Sequence, residues 1–250
     1  MNSCYVERVY RNIMKSRDLT HFNVKVKETD LYVAVDIELA VRAAQLCEHV
    51  RSLVSREMRS LEQYIVRDPA FYVSLTPHPV RQDAPPIART MAEAASMASV
   101  GPMAAVAGAF AEMVGRALLE DSKQIIVENG GDIFIKSRVE RTVAIFAGKS
   151  RFSNRIGIKV DPADTPIGIS TSSGTVGPSL SLGTSDATVV IAGSAALADA
   201  AATAVGNLVN SPEDFGPAVE WAKSIPGLMG VVIIKGDDLT AWGKVELVEI

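Results

Sequence analysis

Two polar residues, Asp199 and Thr203, stand four positions apart in a segment that is otherwise almost all alanine. On a helix, that spacing puts them one turn above the other on a single face. An acid among alanines is expensive to bury unless it is paired or bound to a cation. A plainer alternative has Asp199 capping or salt-bridging a neighbouring loop. A second concentration of polar chemistry spans residues 170–185, with six serines, three threonines and three glycines in sixteen positions. Hydroxyls and exposed amides of this kind can cradle an oxyanion. They can equally form a flexible loop, and composition does not separate the two.

The elements that must position these groups follow from periodicity. Ser194 is a natural N-cap for a helix running to about Val209. Ahead of it, Ala187–Ala192 has the β-branched content of a strand. Gln124–Val127 and Ile133–Ile135 flank Glu128-Asn-Gly-Gly-Asp132, and Asn-Gly between apolar runs marks a hairpin turn. Strand-like runs continue at Thr142–Ala147 and Arg155–Val160. The first hairpin spans Phe22 to Val35, with Glu-Thr-Asp between its arms. Cys47, Val50, Val54, Met58, Leu61 and Ile65 recur at three- and four-residue steps, which predicts a helix from about Ile37 to Val66, stopped by Asp68-Pro69. Its arginines Arg51, Arg56 and Arg59 fit a solvated face better than a phosphate site. Four prolines within 76–86 mark the best internal boundary, and His78 lies there as a loop histidine. An alanine-rich stretch follows, and a helix begins near Pro102. Its smooth surface suits close packing or the approach of a ligand to its backbone. Gly230–Lys235 and Ala241–Ile250 close the chain as a hairpin.

Bulk properties narrow the class. The chain has 250 residues, 48% hydrophobic and only 6% aromatic, with a net charge of −4. Without a dense basic cluster, nucleic-acid binding is not expected, although loop amides can still hold a small phosphorylated ligand. Cys4 and Cys47 form no C-x-x-C pattern, so neither a disulfide framework nor a thiolate zinc site is expected. No apolar run is long enough to span a bilayer and the start has no signal-peptide core, which makes a cytoplasmic chain with no membrane association the expectation. The nucleotide-binding and hydrolase motifs G-x-x-x-x-G-K-[ST], G-x-G-x-x-G, G-x-S-x-G and H-E-x-x-H are absent.

Three segments, in order, resemble the ApbE superfamily, which includes FAD:protein FMN transferases. Asn129-Gly-Gly-Asp132 is similar to its Asn-x-Gly-Gly-Asp turn. Ser170-Thr-Ser-Ser-Gly174 is similar to its Ser-Thr-Ser-Gly loop. Ala198-Asp-Ala-Ala-Ala-Thr203 is similar to its Ala-Asp-Ala-x-Ala-Thr helix. The likeness spans essentially the whole chain. It is closer still to an uncharacterised ApbE-like sister family, through Val100–Gly108, Val127–Asp132, Thr171–Gly177, Phe71–Pro77 and Trp242-Gly243.

The resemblance implies a single α+β domain over 1–250, with antiparallel sheets backed by helices in a T-fold-like, internally duplicated arrangement. It also implies chemistry. Mg2+ would be held by Asp199 and Thr203, with the backbone carbonyl of Ala104 as a further ligand. FAD or a related nucleotide would lie along Asn129, Gly130, Gly131 and Asp132 and along Ser170, Thr171, Ser172, Ser173, Gly174 and Thr175. Asp199 and Thr203 are then also the catalytic pair. The implied reaction passes FMN to a threonine of a partner protein and releases AMP. The chain departs from the transferases at two points. Ala107 stands where they carry a lysine, and Gly177-Pro178-Ser179 where they carry a histidine. These departures leave a second class open, a ligand-binding or accessory protein without transfer. Relatives in the sister family are associated with sulfur assimilation into homocysteine, alongside iron–sulfur partners. The alanine-smooth helices and the long amphipathic helix also leave room for a homodimer.

Overall fold

The computed structural model describes residues 16–176 and 181–250. Cys4 and the Gly177-Pro178-Ser179 stretch lie outside the described residues.

Alternating residues build an antiparallel hairpin from β1 (Leu19–Val26) and β2 (Thr29–Asp36). Its turn is Lys27-Glu28, beginning one residue earlier than expected, so that Thr29 and Asp30 already belong to β2, and Lys27 takes the positive φ of 53°. A 3-10 turn (Ile37–Arg42) leads into α1 (Ala43–Arg67), which buries Leu46, Val50, Val54, Leu61 and Tyr64. Asp68-Pro69 does end α1, but Pro69 also opens the short α2 (Pro69–Val73), because proline is tolerated at a first helical turn. Arg51, Arg56 and Arg59 are exposed, as expected for a solvated face. After the proline loop come α3 (Pro86–Met97), a 3-10 turn (Pro102–Ala105) and α4 (Val106–Ala117).

The rest of the chain is mostly strand: β3 (Ile125–Asn129), β4 (Asp132–Lys136), β5 (Arg141–Ala144), β6 (Ile156–Val160), β7 (Ile167–Ser172) and β8 (Ala187–Ala192). Then follow α5 (Ala195–Gly206), α6 (Phe215–Ser224), β9 (Leu228–Lys235), β10 (Asp238–Gly243) and β11 (Leu247–Glu249). Eight strands form one antiparallel sheet in the order β1-β2-β3-β4-β7-β8-β9-β10, and β11-β6-β5 form a second. One core lies between the helices and the large sheet, and another fills the space between the two sheets. The fold is thus α+β, with antiparallel sheets and a helical layer.

Two expectations are corrected. Ala241–Ile250 is not one strand: Gly243, at φ 87°, ends β10, and β11 joins the other sheet beside β6. A side chain at Gly243 would sit 2.2 Å from the Met229 carbonyl oxygen, so only glycine makes that corner. Ser170–Ser172 belong to β7, paired with Val190–Thr188 of β8, and not to a loop.

A buried network ties β2 to β3. The Asp36 carboxylate accepts from the Lys123 N–H (2.7 Å), the Gln124 N–H (3.2 Å), Gln124 Nε2 (3.0 Å) and Ser122 Oγ (3.0 Å). Burial alone would raise the Asp36 carboxyl, but these donors hold it below its ordinary value. Its contribution to stability is therefore present above the unfolded pKa, about 3.9. It is lost as pH falls through the lower folded value. Asp36→Asn is expected to cost about 2 kcal/mol at pH 7. In urea unfolding at a series of pH values, that difference from the unsubstituted chain should shrink steadily below about pH 4.

Candidate functional site

The site is built around an antiparallel helix pair, α4 and α5, lying on the large sheet. The helices touch through small residues. A Cβ at Gly108 would stand 2.1 Å from the Ala195 carbonyl oxygen and 2.8 Å from Asp199 Cβ. On the sheet side, a Cβ at Gly168 would stand 2.3 Å from Ala195 Cα. Gly108→Ala is expected to destabilise the chain by about 2 kcal/mol or more, because two backbones must part. The better helix propensity of alanine returns only about 1 kcal/mol. Equal or higher stability in urea unfolding would show that the contact is not tight.

Each helix caps the other. The first N–H groups of an α-helix lack partners within it, and the α4 cap residue, Ala105, has no side-chain acceptor. Asp199 supplies one from α5: its Oδ2 accepts from the Gly108 N–H at 2.9 Å, and the Ala107 N–H also points to it. In return, Glu112 of α4 serves the start of α5. Its Oε2 accepts from Ser194 Oγ (2.6 Å) and the Ala196 N–H (3.3 Å), while Oε1 takes Arg116 Nε (2.7 Å). Ser194 caps the Leu197 N–H, as expected. So Gly108 faces Asp199, and Glu112 faces the Ser194–Ala196 turn. Ala104 lies ahead of α4 in the 3-10 turn, and Thr203 lies one turn beyond Asp199 on α5. The 3-10 turn that holds Ala104 does pack on α5.

Asp199 is crowded by protein although a part of it remains open to water. Burial pushes its carboxyl up to about 7, against the pull of the two backbone N–H groups. The negative charge there is under-compensated, and a cation would relieve it.

The sheet contributes from below. Along β7, Gly168, Ser170 and Ser172 face α5, while Ile169 faces the inter-sheet core. Gly168 meets Ala195, and a Cβ at Gly206 would stand 3.7 Å from Ser172 Cβ, so Ser170 lies under the middle of α5. Ser170 is fully buried, and its Oγ has no hydrogen-bond partner among the described residues. Asn129, the last residue of β3, donates from Nδ2 to the Ala107 carbonyl at 3.1 Å and so fixes the start of α4. Gly130 and Gly131 take φ of 73° and 108°, and the Gly131 N–H is held by Glu128 Oε1 at 3.0 Å. Asp132 opens β4 and is buried. The structure thus links Asp199 and Asn129 to the start of α4, and sets Ser170 and Ser172 beneath α5, the helix that also carries Thr203.

Other expected residues are spent elsewhere. Thr171 faces the opposite side of the sheet from Ser170 and Ser172. Ser173 Oγ accepts from the Thr175 and Val176 N–H groups at 3.1 and 3.0 Å, which folds the loop on itself. Gly174 lies against Gly183, where a Cβ would be 2.0 Å from the carbonyl oxygen. Thr175 Oγ1 donates to Asp186 Oδ1 at 2.8 Å, and Asp186 Oδ2 takes the Gly236 N–H at 2.7 Å. Sequence reasoning missed Asp186 and Glu112. Glu112 carried a usable signal, since an acid on an alanine-rich helix raises the same burial question as Asp199.

Among the described residues, no group of three His, Cys, Asp or Glu side chains could hold a metal ion. Any cation here needs hydroxyl, carbonyl, water or phosphate oxygens to complete its shell. Two surface clefts, of about 440 and 340 Å3, are lined by neither Asp199, Thr203 nor the serine segment. Among the described residues, no single helix is long and apolar enough to cross a membrane.

The family model described as AbpE bacteria matches residues 11–225. A UPF0280 protein of Methanococcus maripaludis strain C7 is 40% identical over 227 residues, covering 89% of this chain and 90% of that protein. A UPF0280 protein of Methanocella arvoryzae is 42% identical over 192 residues, 76% of this chain and 78% of that one. Among solved structures, the ApbE protein of Thermotoga maritima is similar with a TM-score of 0.50 at 13% identity, covering 89% of this chain and 96% of that one. That likeness speaks for the fold. The caps, the glycine contacts and the motif positions thus belong to an ApbE-like scaffold, and the chain is a member of the AbpE bacteria family, together with the UPF0280 proteins.

Proposed function

We propose that the chain binds a flavin nucleotide or a related pyrophosphate in a magnesium-dependent manner, and that it transfers FMN from FAD to a threonine of a partner protein. The observation that carries the reading is Asp199, a crowded carboxylate with backbone donors only, one turn from the Thr203 hydroxyl. The donor set fits a hard cation: a carboxylate, a hydroxyl and the Ala104 carbonyl, all oxygen. The unpartnered Ser170 Oγ beneath α5 is a further polar group without an assignment in the fold. Magnesium, when bound, would offset negative charge on the pyrophosphate.

The chain's own residues would do the rest. Asp199 Oδ2 stays on the Gly108 N–H, which leaves Oδ1 for the ion. Thr203 presents its hydroxyl from the next turn. Asn129 holds the start of α4 in place through the Ala107 carbonyl. The Gly130-Gly131 turn leaves room for a ligand to approach the backbone, and Ser172 borders the same end of the sheet. Incubation of the purified chain with FAD and Mg2+ should release AMP and label a threonine of the acceptor. If neither AMP nor a labelled protein appears, transfer is excluded.

A second reading has one specific observation in its favour. Ala107, at the position of the transferases' lysine, spends its N–H on Asp199 and its carbonyl on Asn129. It brings no cation to the site. The chain would then hold the flavin nucleotide without passing it on. Magnesium-dependent FAD binding without AMP release is the result that selects this reading.

A further inference from the structure

The outer face of the small sheet, formed by β5, β6 and β11, has no role in the site. Antiparallel pairing fixes which residues share that face. Val143, Ile158 and Leu247 stand in register, and with Ile145, Ala147 and Val160 they pack into the core between the two sheets. Successive side chains alternate across a strand, so the residues between them point outward.

Three outward rows follow. In the first, Thr142 pairs with Lys159, and the Lys159 N–H donates to the Glu246 carbonyl at 2.9 Å. The second is Ala144, Gly157 and Val248. The third, Phe146, Arg155 and Ile250, continues past the strand ends. There the Ile250 N–H donates to the Arg155 carbonyl at 3.0 Å, and the Ile145 N–H to the Ile156 carbonyl at 3.0 Å. Phe146 faces outward because both its neighbours, Ile145 and Ala147, are buried in the inter-sheet core.

The solvated face of an antiparallel sheet is ordinarily polar. Here Phe146 is 47% exposed and Ile250 55%, and Ala144 is open beside them. Gly157 keeps the middle flat. A Cβ there would stand 2.6 Å from Thr142 Cγ2 and 3.4 Å from Ile250 Cγ2. The charges sit at opposite ends. Lys159 Nζ is shared by Glu140 and Glu246 at 3.0 Å each, so that end carries one net negative charge. Arg155, at the other end, is exposed and forms no ion pair among the described residues. Two acids and two bases thus leave the face neutral in side-chain charge, within a chain of net charge −4.

A neutral face with oppositely charged ends complements a copy of itself when a twofold axis lays one end over the other. An axis lying in the face, running across the strands through Gly157, does this. It sets Arg155 between the partner's Glu140 and the partner's Glu246. The Ala144–Gly157–Val248 row then packs against its own counterpart. We infer that the outer face of β5, β6 and β11 binds a second copy of this chain, face to face across that axis. This pairing needs neither magnesium nor flavin. Three strands about 4.8 Å apart, with rows about 7 Å apart, make a face of roughly 300 Å2. A standard interface uses about 800 Å2 per partner, so the dimer is expected to be weak, with a dissociation constant on the order of tens of micromolar.

Sedimentation velocity of the full chain, from about 1 to 300 µM, reads this directly. The chain should pass from monomer to dimer across that range. Ala144→Asp puts a charge in the row that packs on itself and should weaken the dimer by about 10-fold or more. Arg155→Glu should weaken it by about 10-fold. Adding Glu140→Arg to Arg155→Glu exchanges the two charges and should restore dimerisation to within about threefold of the unsubstituted chain. The substituted positions are exposed, so circular dichroism and melting temperature of the monomers should be unchanged. A chain that stays monomeric throughout leaves the face to a different protein and overturns the inference. A dimer that both Ala144→Asp and Arg155→Glu leave intact has its interface elsewhere and overturns it too. Loss with Arg155→Glu that Glu140→Arg does not repair contradicts the facing of the two ends.

Discussion

Asp199→Asn is expected to weaken magnesium-dependent FAD binding by about 100-fold or more, some 2.7 kcal/mol, while making the ligand-free chain more stable. The two effects have one cause. Asp199 is a crowded carboxylate that meets only the Gly108 and Ala107 N–H groups. Its carboxyl is pushed up to about 7 from an ordinary 3.8. At about 1.4 kcal/mol per pKa unit, ionising it in the folded chain costs up to roughly 4 kcal/mol. Partial access to water reduces this, and about 2 kcal/mol is a reasonable expectation at pH 8. Asparagine keeps an oxygen for the Gly108 N–H, so the α4 cap survives and the charge penalty goes. It also removes the anionic ligand that the cation requires. Thermal melts at pH 8, with and without Mg2+ and FAD, separate the two effects. A ligand-free Asp199→Asn chain that melts lower would identify the carboxylate as a cap alone. That was the plain alternative visible in the sequence.

The second large effect is expected at Glu112. Glu112→Ala should cost about 3 kcal/mol in urea unfolding, whereas Glu112→Gln should cost about half as much. Glu112 is 7% exposed and joins three partners: Ser194, the Ala196 N–H and Arg116. Alanine leaves all three without an acceptor. Glutamine keeps an oxygen for the α5 cap and loses the charge that Arg116 and the helix N-terminus favour. Because Glu112 fixes the start of α5 against α4, its loss should also weaken magnesium-dependent FAD binding by about 10-fold. A cost below about 1 kcal/mol for the alanine variant would contradict the reciprocal caps.

Much of the site was legible because its grammar is local. The Asp199/Thr203 face follows from four-residue spacing, Ser194 from capping chemistry, and the Gly130-Gly131 turn from its flanking apolar runs. What was not legible depends on partners distant in sequence. Glu112 joins residues 82 and 84 positions away, and Gly108 joins Asp199 across 91. Nothing local to an alanine-rich helix reveals that its acid caps another helix. His78 was opaque for the same reason: its partner, Asp68, ended a helix in the sequence pattern and gave no sign of facing a loop ten residues on.

The fold shows the same division. The alternation that placed β1, β2 and β9 depends on neighbouring residues only. The crossing of β11 into the second sheet depends on Gly243, whose corner is set by the Met229 carbonyl across the turn. Ser170 was obscured by composition. Its hydroxyl-rich neighbours suggested a loop, whereas pairing with β8 and the cover of α5 make it a buried strand residue.

The most direct test of the central claim is a crystal structure of the chain soaked with FAD and Mg2+. The account predicts a metal ion in contact with Asp199 and Thr203, with the pyrophosphate beside it and next to the Gly130-Gly131 turn and Ser172. FAD bound elsewhere, or bound here with no metal between Asp199 and the phosphates, would contradict it.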